Sequence, residues 1–195
     1  FNKKTGERRP FLPLRFKSDN YIKYSRNSSN VYNETTNTIL LLTNPVIRYY
    51  QADGRMEEVE NNLPVIPQRM ICAIGSDERF SYFHDTQTIY KLEKKGKDLY
   101  PVFHSDTAYF INAVAWDRKG TYWIASNRGL YVYQEGGKPT RLGDSLFQET
   151  KSVLCDNKGN VWIGAGQNLF SYHPREQKFR LYGESDGLSK NEYLS

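Results

Sequence analysis

Along most of the chain, apolar and polar residues alternate in short runs that stop at Gly, Asp, Asn or Ser. Runs such as "INAVAW", "TYWIAS", "LYVYQ" and "NVWIGA" put every second side chain on one face, the period of a half-buried β-strand. No stretch carries apolar residues at helical spacing, so the pattern predicts an all-β fold. The continuous apolar run Ile39 to Leu42 fits a buried strand, and no apolar run approaches the roughly 18 residues of a membrane span.

The pattern repeats. Setting "INAVAWDRKGTYWIASNRGLYVYQEGG" beside "KSVLCDNKGNVWIGAGQNLFSYHPREQ" at an offset of 39 superposes Val114 on Val153, Asp117 on Asp156, Gly120 on Gly159 and Trp123 on Trp162. It also brings Ile124 onto Ile163, Leu130 onto Leu169 and Tyr133 onto Tyr172. A weaker copy lies 41 residues upstream, with Tyr82, Ile89, Leu92 and Gly96 in place of Trp123, Leu130, Tyr133 and Gly137. A further 42 back stand Leu40, Ile47, Tyr50 and Gly54. The Asp-x-x-Gly turn is missing from both early copies.

Each copy divides into four short strands. The clearest gives strand a at Ile111–Trp116, b at Tyr122–Ser126, c at Leu130–Gln134 and d at Pro139–Leu142. In the a–b turn, Asp117 can accept from backbone amides and Gly120 tolerates positive φ. Gly136-Gly137 and Asp53-Gly54 mark c–d hairpins. A period near 40 residues with four strands and an aromatic at a fixed position indicates a β-propeller. Trp123 and Trp162 are expected to pack between adjacent blades. Asp117, Gly120, Asp156 and Gly159 set the turns.

The expected organisation is a last hairpin of a preceding blade at 1–20, blades at 29–65, 70–105, 110–146 and 150–183, and a lead into another blade at 184–195. The chain starts in mid-blade without an initiator Met. It therefore reads as an arc of a larger ring, of the seven-bladed type, within a longer protein.

Composition narrows the function. The net charge of +5 is dispersed, with small clusters at Lys3, Lys4, Arg8, Arg9 and at Lys94, Lys95, Lys97. A nucleic-acid binder would gather them on one face, so no nucleic-acid partner is expected. No membrane contact by this segment is expected either. The two cysteines, Cys72 and Cys155, match no metal or redox spacing and read as buried, inert thiols. No phosphate loop, dinucleotide fingerprint or zinc-protease motif occurs, so no catalytic residue, metal or cofactor is assigned. His84-Asp85 is the one adjacent pair able in principle to act as a base or ligand.

Ligands of propellers meet loops on one face around the central channel. In the a-b-c-d order, b–c and d–a loops share a face. The candidate ligand residues there are His84, Asp85, Asn127, Arg128, Gln167 and Asn168 in b–c loops, and Tyr109, Phe147 and Gln148 in d–a connectors. Asn44, Thr86, Asp106, Phe110 and Glu149 accompany them. Amides and Arg suit sugar hydroxyls, and aromatic rings suit sugar faces. An oligosaccharide is the expected ligand.

The stretch "VLCDNKGNVWIGAGQNLFSYHPREQKFRLYGESDGLSKNEY" closely resembles the two-component regulator propeller repeat, D-x-x-G-x-[LI]-W-[IL]-G-T followed by G-[LI], aromatics and "dGL". Asp156, Gly159, Val161, Trp162, Ile163 and Gly164 fill its first half. Leu169, Tyr172, Phe179, Tyr182, Asp186, Gly187 and Leu188 fill the rest. The 111–142 copy matches with Asp117, Gly120, Trp123, Ile124, Gly129, Leu130 and Tyr133, but has Ala125-Ser126 for Gly-Thr. Residues 30–105 depart at the Trp and at the turn. The resemblance implies the periplasmic sensor region of a hybrid two-component histidine kinase of gut Bacteroidetes, with glycan fragments as ligands and polysaccharide-use genes as output. In the full-length protein it implies contacts with the other blades and domains, and a homodimer is expected. The alternatives are a protein-interaction scaffold and a propeller glycoside hydrolase or lyase.

Overall fold

The structure is a computed structural model that describes residues 30–33, 37–41, 47–59, 72–96, 98–105, 109–117, 119–143 and 146–188. The expected hairpin at 1–20, Asn44, Asp106 and the lead beyond residue 188 lie outside them.

Among the described residues sixteen strands form four antiparallel four-stranded sheets, each pairing its strands in chain order. Blade 1 holds β1 (Asn30–Asn33), β2 (Thr38–Leu41), β3 (Ile47–Tyr50) and β4 (Met56–Glu58). Blade 2 holds β5 (Cys72–Ser76), β6 (Phe80–His84), β7 (Thr88–Glu93) and β8 (Leu99–His104). Blade 3 holds β9 (Ile111–Trp116), β10 (Thr121–Ser126), β11 (Gly129–Gln134) and β12 (Thr140–Leu142). Blade 4 holds β13 (Ser152–Cys155), β14 (Val161–Ala165), β15 (Asn168–His173) and β16 (Lys178–Tyr182), then one 3-10 turn at Glu184–Asp186. The first strands lie side by side: β5 touches β1 and β9, and β9 touches β13. This is the arrangement of propeller blades around an axis.

The a–b turns follow from their sequences. Asp117 Oδ1 accepts the amides of Lys119 at 2.7 Å and Thr121 at 3.0 Å, and Gly120 takes φ +94°. Asp156 repeats this with Lys158 at 2.8 Å and Asn160 at 2.9 Å, and Gly159 has φ +84°. Blade 2 lacks the glycine but keeps the acid. Asp77 Oδ1 accepts the amides of Arg79 at 2.8 Å and Phe80 at 2.6 Å, in a turn one residue tighter.

The core lies between sheets, where alternate side chains of neighbouring blades meet. Leu40 and Val59 of blade 1 pack on Phe83, Tyr90, Leu92 and Leu99 of blade 2. Tyr82, Ile89, Val102 and Phe103 of blade 2 pack on Ile111, Tyr122, Ile124 and Tyr133 of blade 3. Trp123, Leu130 and Ala115 of blade 3 pack on Val161, Ile163, Phe170 and Tyr172 of blade 4. Among the described residues no apolar cluster joins blade 4 to blade 1.

Trp123 thus sits between blades as its repeat position predicts, with its ring 5.6 Å from that of Tyr172. Tyr82 faces blade 3, and Leu40 faces blade 2, from the equivalent position. Trp162 pairs with Leu154 and Ser171 across its sheet and faces away from blade 3, its ring 5.2 Å from Tyr182.

Candidate functional site

The site is built where the d–a connectors cross the b–c turns. The connector between blades 2 and 3 is stitched to both. Ser105 N–H donates to Gln87 O at 2.7 Å and Ile111 N–H to Thr86 O at 2.8 Å, in blade 2. Phe110 N–H donates to Asn127 Oδ1 at 2.7 Å, and Asn127 N–H returns to Phe110 O at 3.2 Å, in blade 3.

The connector between blades 3 and 4 is held as firmly. Thr150 is fully buried; its N–H donates to Ser126 O at 2.8 Å, and its hydroxyl receives Ser126 N–H at 2.9 Å and reaches Gly129 O at 2.8 Å. Arg141 donates to Phe147 O at 3.0 Å, and Lys151 N–H to Gly164 O at 2.9 Å. Asn112 on β9 donates to Thr150 O at 2.8 Å. Gly129 takes φ +110°, and a Cβ there would stand 3.2 Å from Phe147 O, so the turn and connector touch through backbone. The buried polar groups of Ser126 and Thr150 are thereby satisfied, which ties the turn to the connector.

This geometry splits the predicted ligand residues. Asn127, Arg128, Gln148, Gln167 and Asn168 are exposed on the connector face. His84, Asp85, Tyr109 and Phe147 are buried and do not present side chains to a ligand. Asp85 Oδ1 accepts the amides of Gln87 and Thr88, both at 2.7 Å, and Oδ2 accepts the Tyr90 hydroxyl at 3.1 Å, so this carboxylate closes the b–c turn. His84 Nδ1 lies 2.8 Å from Asp85 O, and burial pulls its pKa below the ordinary range for histidine. Tyr109 stacks on Tyr131 at 4.5 Å, and Phe147 meets Phe170 edge-on at 5.0 Å. Two of the rings expected to stack on sugars, Tyr109 and Phe147, are core.

Their chain neighbours are not. Phe110 is 53% exposed and Leu146 46%. Leu146 was missed by the sequence reading, and no periodicity in these irregular connectors would have singled it out.

The opposite end of the blades carries carboxylates committed to structure. Trp162 Nε1 donates to Asp156 Oδ2 at 3.1 Å, and with Asn160 and two backbone amides it pulls the Asp156 pKa down to about 2. Tyr82 donates to Asp77 Oδ2 at 2.7 Å. Burial pushes the Asp77 pKa up, but bonds from Phe80, Tyr82 and Arg79 outweigh it and the net shift is downward. Cys155 is half-buried; burial first, then Asp117 and Asp156, raise its thiol to about 12, which keeps it unreactive. Among the described residues no group of His, Cys, Asp and Glu could hold a metal ion.

No family model matches the chain, and no curated relative does. Solved structures do. The extracellular domain of a hybrid two-component system from Bacteroides thetaiotaomicron is 15% identical with a TM-score of 0.61, over 85% of this chain and 25% of that one. A second such domain from the same organism is 16% identical with a TM-score of 0.59, over 83% and 23%. Virginiamycin B lyase from Staphylococcus aureus is 10% identical with a TM-score of 0.59, over 78% and 54%. The chain spans about a quarter of the length of the sensor domains and about half of the lyase. Among the described residues no helix is long and apolar enough to cross a membrane. At these identities the similarity establishes the fold: the described residues form four blades of a β-propeller.

Proposed function

We propose that the chain is part of the periplasmic ligand-sensing propeller region of a hybrid two-component sensor histidine kinase, responding to a glycan and controlling polysaccharide-use genes. The observation that carries this is the connector face. Hydrogen-bonded loops there hold exposed amide, guanidinium and aromatic groups at the edge of two blade junctions. Those groups suit the hydroxyls and ring faces of a sugar. The likeness to two sensor ectodomains and the propeller-repeat motif at Asp156–Leu188 support the same reading.

The segment is non-catalytic in itself. A ligand bridging two connectors would bias how the blades pack, and that bias passes on only if the two packings bind the ligand with different affinity. The full-length reading frame tests the first part: a membrane span and a kinase downstream are expected, and their absence overturns the sensor. Calorimetry of the complete ectodomain with a panel of oligosaccharides tests the second. Binding without turnover is expected; hydrolysis or elimination of a bound glycan overturns the non-catalytic reading, and binding of a protein alone favours a scaffold.

A further inference from the structure

Both described connectors of blade 3 press against its b–c turn. Its backbone is tied to Phe110 through Asn127, and to Phe147 and Thr150 through Ser126 and Gly129. Five exposed side chains follow: Phe110, Asn127, Arg128, Leu146 and Gln148. Two apolar groups therefore flank an Arg-bearing turn.

The hydrogen-bond pattern sets what each can offer. Asn127 Oδ1 is occupied by Phe110 N–H at 2.7 Å, which leaves its Nδ2 as a donor toward solvent. Ser126 Oγ receives Arg128 N–H at 3.1 Å, which fixes where the guanidinium leaves the backbone. Arg128 forms no ion pair with any described residue. Glu149 is the sole carboxylate among the described residues of these two connectors, and Lys151 stands two residues on. The turn thus presents a ring, amide donors and, at Arg128, a planar fork of donors that pairs with no described carboxylate.

We propose that this turn is a subsite for an acidic sugar, a uronic acid residue of an oligosaccharide. Its pyranose face lies on Phe110 with Leu146 at its edge. Its hydroxyls take hydrogen bonds from Asn127 Nδ2 and Gln148. Its carboxylate takes the bidentate pair that the Arg128 guanidinium is shaped to give. A neutral sugar would leave the charge of Arg128 without a partner. This rests on the connector face being the ligand face, and it names the ligand class that face selects.

Calorimetric titration of the complete ectodomain decides it, with three acidic probes (an oligogalacturonate, an oligomannuronate and a glucuronate-containing hyaluronan tetrasaccharide) and neutral galactotriose. At least one acidic probe is expected to bind, more weakly as salt rises. Arg128→Gln is expected to weaken that binding about tenfold or more, and to weaken any binding of galactotriose far less. Phe110→Ala is expected to weaken it with no change in melting temperature, since the ring is exposed. Failure of all three acidic probes, or Arg128→Gln binding as wild type does, overturns the proposal. If galactotriose alone binds, this subsite falls while the sensor reading stands. If acidic binding depends on Arg128 but the reading frame holds no kinase, the subsite stands and the sensor reading falls.

Discussion

The junction of blades 2 and 3 and that of blades 3 and 4 solve one packing problem with opposite distributions of bulk. At the first, strand β6 offers Tyr82, and β9 ends in Trp116, whose ring lies 4.4 Å from that of Tyr82. Gly75 on β5 leaves room for it: a Cβ there would stand 3.8 Å from Trp116 Cε3. At the second, β10 offers the larger Trp123 and β13 ends in the smaller Cys155, which packs against the same cluster. Trp116 and Cys155 are one repeat apart, as are Tyr82 and Trp123. The residue that ends strand a is therefore large where strand b carries Tyr82 and small where it carries Trp123.

The most damaging way to break this balance is Trp123→Ala. It empties the middle of the junction between blades 3 and 4 and should cost about 3–5 kcal/mol in urea unfolding. Gly75→Leu attacks the other junction by overfilling it against Trp116. We expect a loss of about 2–3 kcal/mol, largely absent when Trp116 is first replaced by Ala, as a double-mutant cycle would read. A cost that persists in the Trp116→Ala background would show that Gly75 is needed for another reason.

Thr150→Val tests whether the connectors differ as the junctions do. The link into blade 4 relies on the Thr150 hydroxyl, whereas the link into blade 3 relies on backbone and on Asn127. The substitution strands Ser126 N–H and should cost about 1–2 kcal/mol, with faster amide exchange at Ser126 and none at Phe110.

The smallest effect concerns the turn acids, where Tyr82 serves Asp77 as Trp162 serves Asp156. Asp156 lies at about 2 in the fold against an ordinary 3.8, so its contribution to stability is complete above the ordinary value and is lost as pH falls toward 2. Trp162→Phe should move the Asp156 carboxyl titration upward by NMR, toward 3.8, with a small loss of stability at neutral pH that disappears as pH falls toward 2. Tyr82→Phe should move Asp77 in the same direction.

The same residues show what the sequence discloses. Identities at offset 39 located the strands of blades 3 and 4, because turn chemistry and side-chain alternation both act over a few neighbouring residues. Asp77 escaped notice because its turn is one residue shorter, which sets Ser76 opposite Asp117 in the alignment. On the candidate site, the turn amides and Arg128 were legible as exposed, since a two-residue b–c turn has nowhere to hide them. The connectors were not. Tyr109 and Phe110 are adjacent and both aromatic, yet one stacks on Tyr131 and the other faces water. That choice depends on the other blade, and no local periodicity records it.

The double stitching of the connectors decides where this chain can be cut. Residues 146–150 bond to blade 3 and the next residue, Lys151, bonds to Gly164 O of blade 4, so a break there would leave neither fragment a finished edge. The c–d hairpin at Gly136-Gly137 is different: it is exposed and its backbone bonds stay within one sheet. Circular permutants and split fragments should therefore tolerate breaks in the hairpins and fail at the connectors, which makes the topological seams of this arc run through its blades rather than between them.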